Sequence, residues 1–519
     1  MHLLQVILFL LLCAVALGWI ARHFNFPYPI ALVIGGAALG FVPKLPQFPF
    51  DPEFILILVL PPILYQAALL TSWHDFKTNI RPIGLFATGL VIATTLAVGA
   101  ALKLLIPDIP WAAAFVLGAI VSPPDAVAAT AILSRLHIPR RVVTVLEGES
   151  LVNDASGLVL YKFAVAAVLT GTFSLFEASV QFAIVSLGGI AVGVLMGLLF
   201  VFVHRHLGDA FIEVLTSLSV PYIAYILAES LQVSGVLAVV AAGLLRGRYS
   251  PEIVSAEMRI MARSMWNFLV FLLNSLIFIV MGMQLSGIVG RLSEYSTAKL
   301  FLYATLISTV AIAVRFAWIY PATYLPRMVS AALGKPEPAP SRAELFIMGW
   351  CGMRGIVSLT AALALPITLV NEGVFPYRDL IIFLTIVVIA VTLVLQGLTL
   401  PPLIRALKVG TDWSMQEEKQ RASLALGKAA IAAIDAMAAK EGIPDDLAER
   451  IRAEFAEKIR LAVPTGVILR RGSDNAGRLR KAALRAERQE LIRIWRDNQI
   501  SDDVLHHLEE VLDYQESRP

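Results

Sequence analysis

The 519-residue sequence is 58% hydrophobic and 16% charged, with a mean hydropathy of +0.75 and a formal net charge of +3. Soluble domains carry about 25% charged residues, so this composition excludes an ordinary soluble protein and indicates a chain that crosses a membrane several times. The small net charge gives no reason to expect a nucleic acid partner. Cys13 and Cys351 lie in apolar runs and predict neither a disulfide framework nor a zinc site.

Apolar stretches, taken in chain order, predict about thirteen membrane-spanning helices. About 20 residues are enough to cross the hydrocarbon core. The first stretch lacks a basic leader, so we interpret it as a retained helix rather than a signal peptide. Residues 211–247 form either two spans joined by a tight hairpin or one tilted, broken helix. The predicted spans are 3–22, 27–43, 52–71, 81–106, 111–134, 141–169, 176–203, 211–229, 232–247, 261–287, 298–325, 342–369 and 379–404.

The distribution of basic residues predicts the orientation of these spans. With an external N-terminus, the inward loops hold clusters such as Arg135, Arg140 and Arg141, and few Lys or Arg residues face outward. An odd number of spans then places the C-terminus in the cytoplasm. We therefore expect a multi-pass protein of the plasma membrane, here the bacterial inner membrane.

Charged residues become dense after about residue 405, which divides the sequence in two. We predict a transmembrane domain at 1–408 and a cytoplasmic helical tail at 409–519. Amphipathic patterns in the tail predict helices at 422–440, 443–461 and 479–495.

Two of the predicted spans are interrupted by helix-breaking residues. The fifth contains Ser122-Pro123-Pro124-Asp125, where two prolines remove backbone donors and leave carbonyl groups unpaired. The twelfth contains the glycine-rich run from Gly349 to Gly355, with Arg354 inside it. Discontinuous helices at corresponding positions of two halves point to a transporter site built on inverted repeats.

The stretch from Leu146 to Ala155 places carboxylates, a hydroxyl and an amide inside an otherwise apolar span. Ser150, Asn153, Asp154 and Gly157 follow the spacing i, i+3, i+4 and i+7, so they share one face of a helix. A carboxylate at this depth costs at least about 2.5–3.5 kcal/mol, which makes it a functional candidate. Its oxygens can hold either a dehydrated cation or a proton. One group with two competing occupants is the minimal chemistry of an exchanger.

These motifs resemble those of the monovalent cation:proton antiporters, in the branch that contains animal sodium/proton exchangers and their prokaryotic relatives. The resemblance covers roughly residues 1–410. It implies an all-α fold with two crossing discontinuous helices, a homodimer in the lipid membrane, and elevator-like alternating access. It implies no cofactor other than the transported Na⁺ and H⁺. The stretches that carry it are Ser122 to Ala128, Glu147 to Asp154, Gly352 to Gly355, Leu60 to Leu64, Trp266 to Val270 and Gln396 to Pro402.

The resemblance assigns the cation ligands residue by residue. Asp154 matches the acid that binds the cation and exchanges it for a proton, and Asn153 matches its supporting amide. Asp125 matches the acid at the first break, and Ser150 matches a hydroxyl ligand. The metal-ion set implied in this way is Asp154, Ser150 and Asp125.

Three further assignments concern the surroundings of these ligands. Glu149 and Arg354 match a buried ion pair that holds the core together. The family often has an Asp-Pro order at the first break, whereas here Pro124 precedes the acid and its carbonyl is expected to face the ion. Gln66 stands where relatives frequently carry an acid, and its amide oxygen is expected to contribute without adding charge.

A single aspartate beside an asparagine predicts electroneutral exchange of one monovalent cation, Na⁺ or alternatively Li⁺ or K⁺, for one proton. Two other classes stay open. A cation channel or facilitator could use the same polar crossing without obligate exchange, and an organic anion carrier could use a similar scaffold. A hydrolase is disfavoured because no nucleophile, base and orienting group occur together.

Overall fold

A computed structural model describes residues 2–24, 28–42, 52–133, 138–171, 174–292, 294–334, 339–368, 374–409, 414–461 and 474–516. Throughout these residues the regular structure is helical, apart from an isolated β-bridge between Thr368 and Val374. The predicted all-α fold is therefore confirmed.

Each predicted span coincides with a helix or with two helices separated by a break. A short helix, Trp73–Thr78, lies between the third and fourth spans. A π-helical turn, Leu85–Leu90, lies within the fourth. The helices of the spans are His2–His23, Tyr28–Gly40, Pro52–Leu70, Ile80–Leu105, Trp111–Val121, Ala126–Leu133, Arg140–Thr170, Leu175–His204, Ala210–Ser230, Gly235–Ile253, Ala256–Arg291, Thr297–Ala332, Arg342–Trp350, Ile356–Leu363 and Arg378–Leu407.

The ambiguous region 211–247 is a hairpin of two helices. Ala210–Ser230 and Gly235–Ile253 pack against each other. The turn between them places Gln232 in a left-handed conformation with φ 60°, and the amide of Val233 donates to the carbonyl of Ala228 at 3.0 Å.

Eight helices in the described residues are long and apolar enough to cross a membrane. Seven of them precede residue 409, and the eighth is Met415–Glu441 in the predicted tail. Outer surfaces are apolar where lipid is expected: Leu187 and Leu195 on the helix Leu175–His204 are each 68% exposed. The exact number of crossings and the inverted repeats stay predictions.

Small residues bring one pair of helices into very close contact. A Cβ atom added to Gly36 would lie 2.3 Å from the carbonyl oxygen of Ile279, and one added to Gly282 would lie 2.3 Å from that of Val33. Helices in lipid associate through such close packing, because burial of apolar surface gives no advantage there. Tyr28–Gly40 and Ala256–Arg291 therefore form a tightly packed pair.

The described residues of the tail form four helices, one more than the sequence patterns predicted. They are Ser414–Glu441, Asp445–Leu461, Asp474–Arg496 and Asp502–Glu516. Ala430 and Ile434 of the first pack against Phe455 and Leu479 of the second and third, so the apolar side of the first is buried among tail helices. Ion pairs then join the tail to the preceding helices: Arg259 with Asp513, Arg263 with Glu510, and Arg140 with Asp503.

Candidate functional site

The first broken helix stops where the sequence contains two adjacent prolines. Its first half ends at Val121 and its second half begins at Ala126. Proline has no N–H group and cannot continue the helical hydrogen-bond pattern. Carbonyl groups in the last turn of the first half consequently need partners from elsewhere in the protein.

The second broken helix supplies such a partner, so the two breaks cross in contact. The guanidinium Nε of Arg354 donates to the carbonyl of Val121 at 2.9 Å. In return, the amide of Asp125 donates to the carbonyl of Met353 at 2.7 Å. Each interruption therefore satisfies backbone groups that the other leaves unpaired, as an irregular backbone within a membrane requires.

Gly355 lets the two breaks approach this closely. A Cβ atom at this position would lie 1.7 Å from a carboxylate oxygen of Asp125, a distance that no side chain tolerates. The half-buried carboxylate of Asp125 is thus held directly against the backbone of the second break.

The helix Arg140–Thr170, which we call the Asp154 helix, turns its predicted polar face toward the first break. Asn153 donates through Nδ2 to the carbonyl of Pro124 at 2.9 Å, and Ser150 Oγ accepts from the amide of Ala126 at 3.1 Å. A Cβ atom added to Gly157 would lie 3.0 Å from the Pro123 ring. The periodicity of the sequence therefore identified the correct contact face.

Asp154 belongs to this face but makes no ion pair or hydrogen bond through its side chain within the described residues. It is 7% exposed. The Oδ1 atom of the neighbouring Asn153 is also buried and has no partner there. Buried polar groups are costly unless something satisfies them, so these oxygens are available to a cation or a proton.

The partner predicted for Glu149 was wrong. Its carboxylate forms a two-pronged ion pair with Arg315, at 2.5 and 2.9 Å, and both side chains are 1% exposed. Arg354 instead donates to the backbone carbonyls of Val121, Gly352 and Ala311. The available signal was a lone arginine within an apolar span, but the sequence does not show which acid meets it.

In the structure, Gln66 forms a hydrogen bond with another amide side chain and lines a small cavity. Its side-chain nitrogen donates to Oδ1 of Asn267 at 2.9 Å. Both residues line a cavity of about 80 Å³ that also contacts Ser217, Trp266 and Arg246. A contribution of Gln66 to cation binding stays a prediction.

Comparisons with known proteins identify the family to which the chain belongs. The model of the family "Sodium/hydrogen exchanger, transmembrane" matches residues 7–406. The chain belongs to this family. The exchanger is accordingly an integral membrane transporter rather than an enzyme, and cation/proton exchange is the activity that its family supports.

Curated relatives and a solved structure extend this assignment. The exchanger is 34% identical over 521 residues to an uncharacterized Na⁺/H⁺ exchanger from Mycobacterium tuberculosis, covering 98% of this chain and 95% of the relative. It is 33% identical over 407 residues to a sodium, potassium, lithium and rubidium/H⁺ antiporter from Bacillus subtilis, covering 76% of this chain and 60% of the relative.

The fold is similar to that of the sodium proton antiporter MjNhaP1 from Methanocaldococcus jannaschii. The TM-score is 0.63 at 20% sequence identity, and the match covers 79% of this chain and 99% of the other. At this identity the likeness concerns the fold alone.

Proposed function

We propose that the exchanger carries Na⁺ in one direction and H⁺ in the other through alternate occupancy of Asp154. The observation that carries this proposal is a buried carboxylate with no ion-pair partner in the described residues, on the helix face that contacts the crossing breaks. A desolvated carboxylate favours its protonated form, and an arriving cation favours the ionised form. Binding of one occupant therefore displaces the other.

The oxygens around Asp154 supply a coordination shell suited to an alkali cation. We propose Asn153 Oδ1, Ser150 Oγ, the Asp125 carboxylate and the Pro124 carbonyl as its further members. Hard cations prefer oxygen ligands. Among the described residues, no group of three or more His, Cys, Asp or Glu side chains could hold a metal ion. Two carboxylates with neutral oxygens suit a monovalent ion that must be released again.

Relatives named for several alkali cations support a site with broad selectivity. The Bacillus relatives are named as sodium, potassium, lithium and rubidium/H⁺ antiporters. We therefore propose Na⁺ as the principal cation, with Li⁺ and K⁺ as alternatives. Exchange is electroneutral in this proposal, because one carboxylate releases one proton for each cation it accepts.

We also propose elevator-like alternating access in a homodimer of the plasma membrane, with the N-terminus outside and the 409–519 tail in the cytoplasm. The Asp154 helix and the two broken helices are joined by hydrogen bonds at the crossing. Tyr28–Gly40 and Ala256–Arg291 form a separate, glycine-packed pair. Movement of the first group against the second would expose the crossing to each side in turn.

Vesicles containing the purified protein test this proposal through dissipation of an imposed pH gradient. We expect Na⁺ to dissipate the gradient, with smaller responses to Li⁺ and K⁺ and none to choline. A rate that changes with membrane potential would contradict electroneutral exchange. Dissipation without a transportable counter-cation would instead favour the channel class. Arg354 is engaged by backbone carbonyls, which disfavours the anion carrier.

Replacement of the proposed carrier acid is the sharpest single test. Asp154→Asn keeps the shape of the side chain but cannot exchange a proton, so we expect cation-dependent proton movement to disappear. Asp108→Asn, at an exposed position outside the site, should retain it. Exchange that persists in the Asp154→Asn protein would eliminate the assignment.

A further inference from the structure

A second cavity lies where the tail meets the membrane helices. It has a volume of about 480 Å³, within the range of small-molecule sites. The short helix Trp73–Thr78 forms one wall and Arg248 near the end of Gly235–Ile253 forms another. The tail closes it with Trp495, Asn498 and Asp502. Neither the ion site nor its ligands take part in it.

The acidic side chains in and around this cavity form hydrogen bonds or ion pairs with groups other than Lys77 and Arg248. Asp502 accepts from Trp495 Nε1 at 2.5 Å and from the backbone amide of His74 at 3.4 Å. Burial opposes ionisation of Asp502, but these donors and Ser72 hold its pKa below the ordinary value, so its oxygens are engaged by hydrogen bonds. Asp75 is paired with Arg140 at 3.0 Å.

A third acidic residue near Arg248, Glu252, pairs with an arginine of the tail. Glu252 stands four residues after Arg248, the spacing at which helical side chains meet. It pairs instead with Arg496, at 2.9 Å. Within the described part of the chain, Arg248 and Lys77 therefore have no acidic partner, and both line the cavity.

The positions of these two cations favour an oxyanion. The Arg248 guanidinium lies over the Trp495 ring, 4.6 Å from its centroid. A guanidinium stacked on an aromatic ring keeps its N–H edge free to bind phosphate with two hydrogen bonds. Lys77, on the short helix Trp73–Thr78, adds a second positive charge to the lining.

The membrane side of this region also suits an amphiphile. Trp73, which lines the cavity, is 38% exposed, and Leu70, three residues earlier at the end of the preceding span, is 49% exposed. Tryptophan is enriched at membrane–water boundaries, and adjacent basic residues attract anionic lipids there. We propose that this junction binds a phosphate group, carried either by an anionic lipid headgroup or by a small soluble phosphate, between Lys77 and Arg248.

This proposal is independent of the transported ion, because it is tested by binding and not by exchange. The detergent-purified full chain is titrated with dihexanoyl phosphatidylglycerol, dihexanoyl phosphatidylcholine or inorganic phosphate. The shift of its thermal unfolding midpoint reports ligand binding. We expect saturable stabilisation by phosphatidylglycerol, by inorganic phosphate or by both, and none by the zwitterionic lipid. A response to phosphatidylglycerol alone identifies a lipid headgroup, and an equal response to inorganic phosphate identifies a soluble ligand.

Variants show whether the binding occurs in this cavity. Lys77→Gln and Arg248→Gln should each weaken it about five- to tenfold, the effect of one cation near an anionic group. Lys77→Arg should retain it. Lys428→Gln, an exposed cation elsewhere on the tail, is the matched control and should bind like the unmodified chain. Absence of saturable binding, or equal losses in Lys77→Gln and Lys428→Gln, would overturn the proposal.

Discussion

An arginine–carboxylate pair lies beside the crossing of the broken helices, and others join the tail to the membrane helices, but pairs in the two regions can differ strongly in burial. Glu149 and Arg315 beside the crossing are each 1% exposed. Arg263 and Glu510 at the tail junction are 35% and 44% exposed at 2.7 Å. Water competes for the second pair and not for the first. We therefore expect the buried pair to hold the site more firmly than an exposed pair such as Arg263 and Glu510 holds the tail.

The largest expected effect is loss of the buried pair. Glu149→Ala leaves the Arg315 charge uncompensated in the interior, which typically costs about 3–5 kcal/mol. We expect a much lower midpoint of thermal unfolding in detergent. The double variant Glu149→Leu/Arg315→Leu removes both charges and should recover part of this loss. A single variant as stable as the original chain would show that burial does not distinguish the two regions.

The close contact at Gly355 should produce the next largest effect. In Gly355→Ala the new methyl group overlaps the Asp125 carboxylate, so one break must move away from the other. Overpacking of this kind costs about 1–3 kcal/mol of folding free energy. We expect the exchange rate to fall strongly while the protein still folds. Gly290→Ala is the control, because a Cβ atom there meets nothing within 4 Å. Equal activity in the two variants would contradict a tight crossing.

A double-mutant cycle at the tail junction would refine the comparison. Arg259 and Asp513 form two hydrogen bonds of 2.8 Å and are only 11% and 4% exposed. We expect a coupling energy of about 1–3 kcal/mol for this pair, measured from unfolding midpoints. The exposed pair of Arg263 and Glu510 should couple by less than about 1 kcal/mol. A larger coupling energy for the exposed pair than for the buried pair would show that exposure does not determine the strength of ion pairs at the junction.

The smallest expected effect is a pH dependence of tail attachment. Burial disfavours the charged form of His506, but Glu509 at 3.5 Å, with Asp502 and Asp503 nearby, raises the pKa of His506 above its ordinary value. A raised pKa stabilises the docked tail below the ordinary value of about 6.5, and this contribution disappears as the pH rises through the raised pKa. Protease sensitivity of the tail should therefore increase modestly on alkalinisation, and His506→Gln should remove that dependence.

Features determined by local covalent chemistry were predictable from the sequence. Both breaks fall at clusters that disfavour a helix, Pro123 and Pro124 in the first and the glycines around Arg354 in the second. The contact face of Ser150, Asn153 and Gly157 follows from helical periodicity, which tertiary packing does not alter.

Features determined by packing between distant segments were not predictable. Arg315 and Arg354 are both arginines in apolar spans, and only the three-dimensional arrangement shows which one meets Glu149. The sequence did not predict the helix Asp502–Glu516, because its many acidic residues are typical of a solvent-exposed segment. In the structure, Asp513 and Asp503 of this helix pair with Arg259 and Arg140. The sequence around Gln66 gives no information about its hydrogen-bond partner, because that partner, Asn267, lies 201 residues away in the chain.

The reciprocal hydrogen bonds between the two breaks have a consequence for biosynthesis. Arg354 and Val121 are separated by 233 residues, so the first break is synthesised long before the second break that pairs with it. Unpaired backbone groups in lipid cost several kcal/mol each. The nascent N-terminal half must therefore shelter Val121 with water or with the insertion machinery until the later half arrives. A chain truncated before residue 354 should be degraded instead of accumulating in the membrane as a half-transporter.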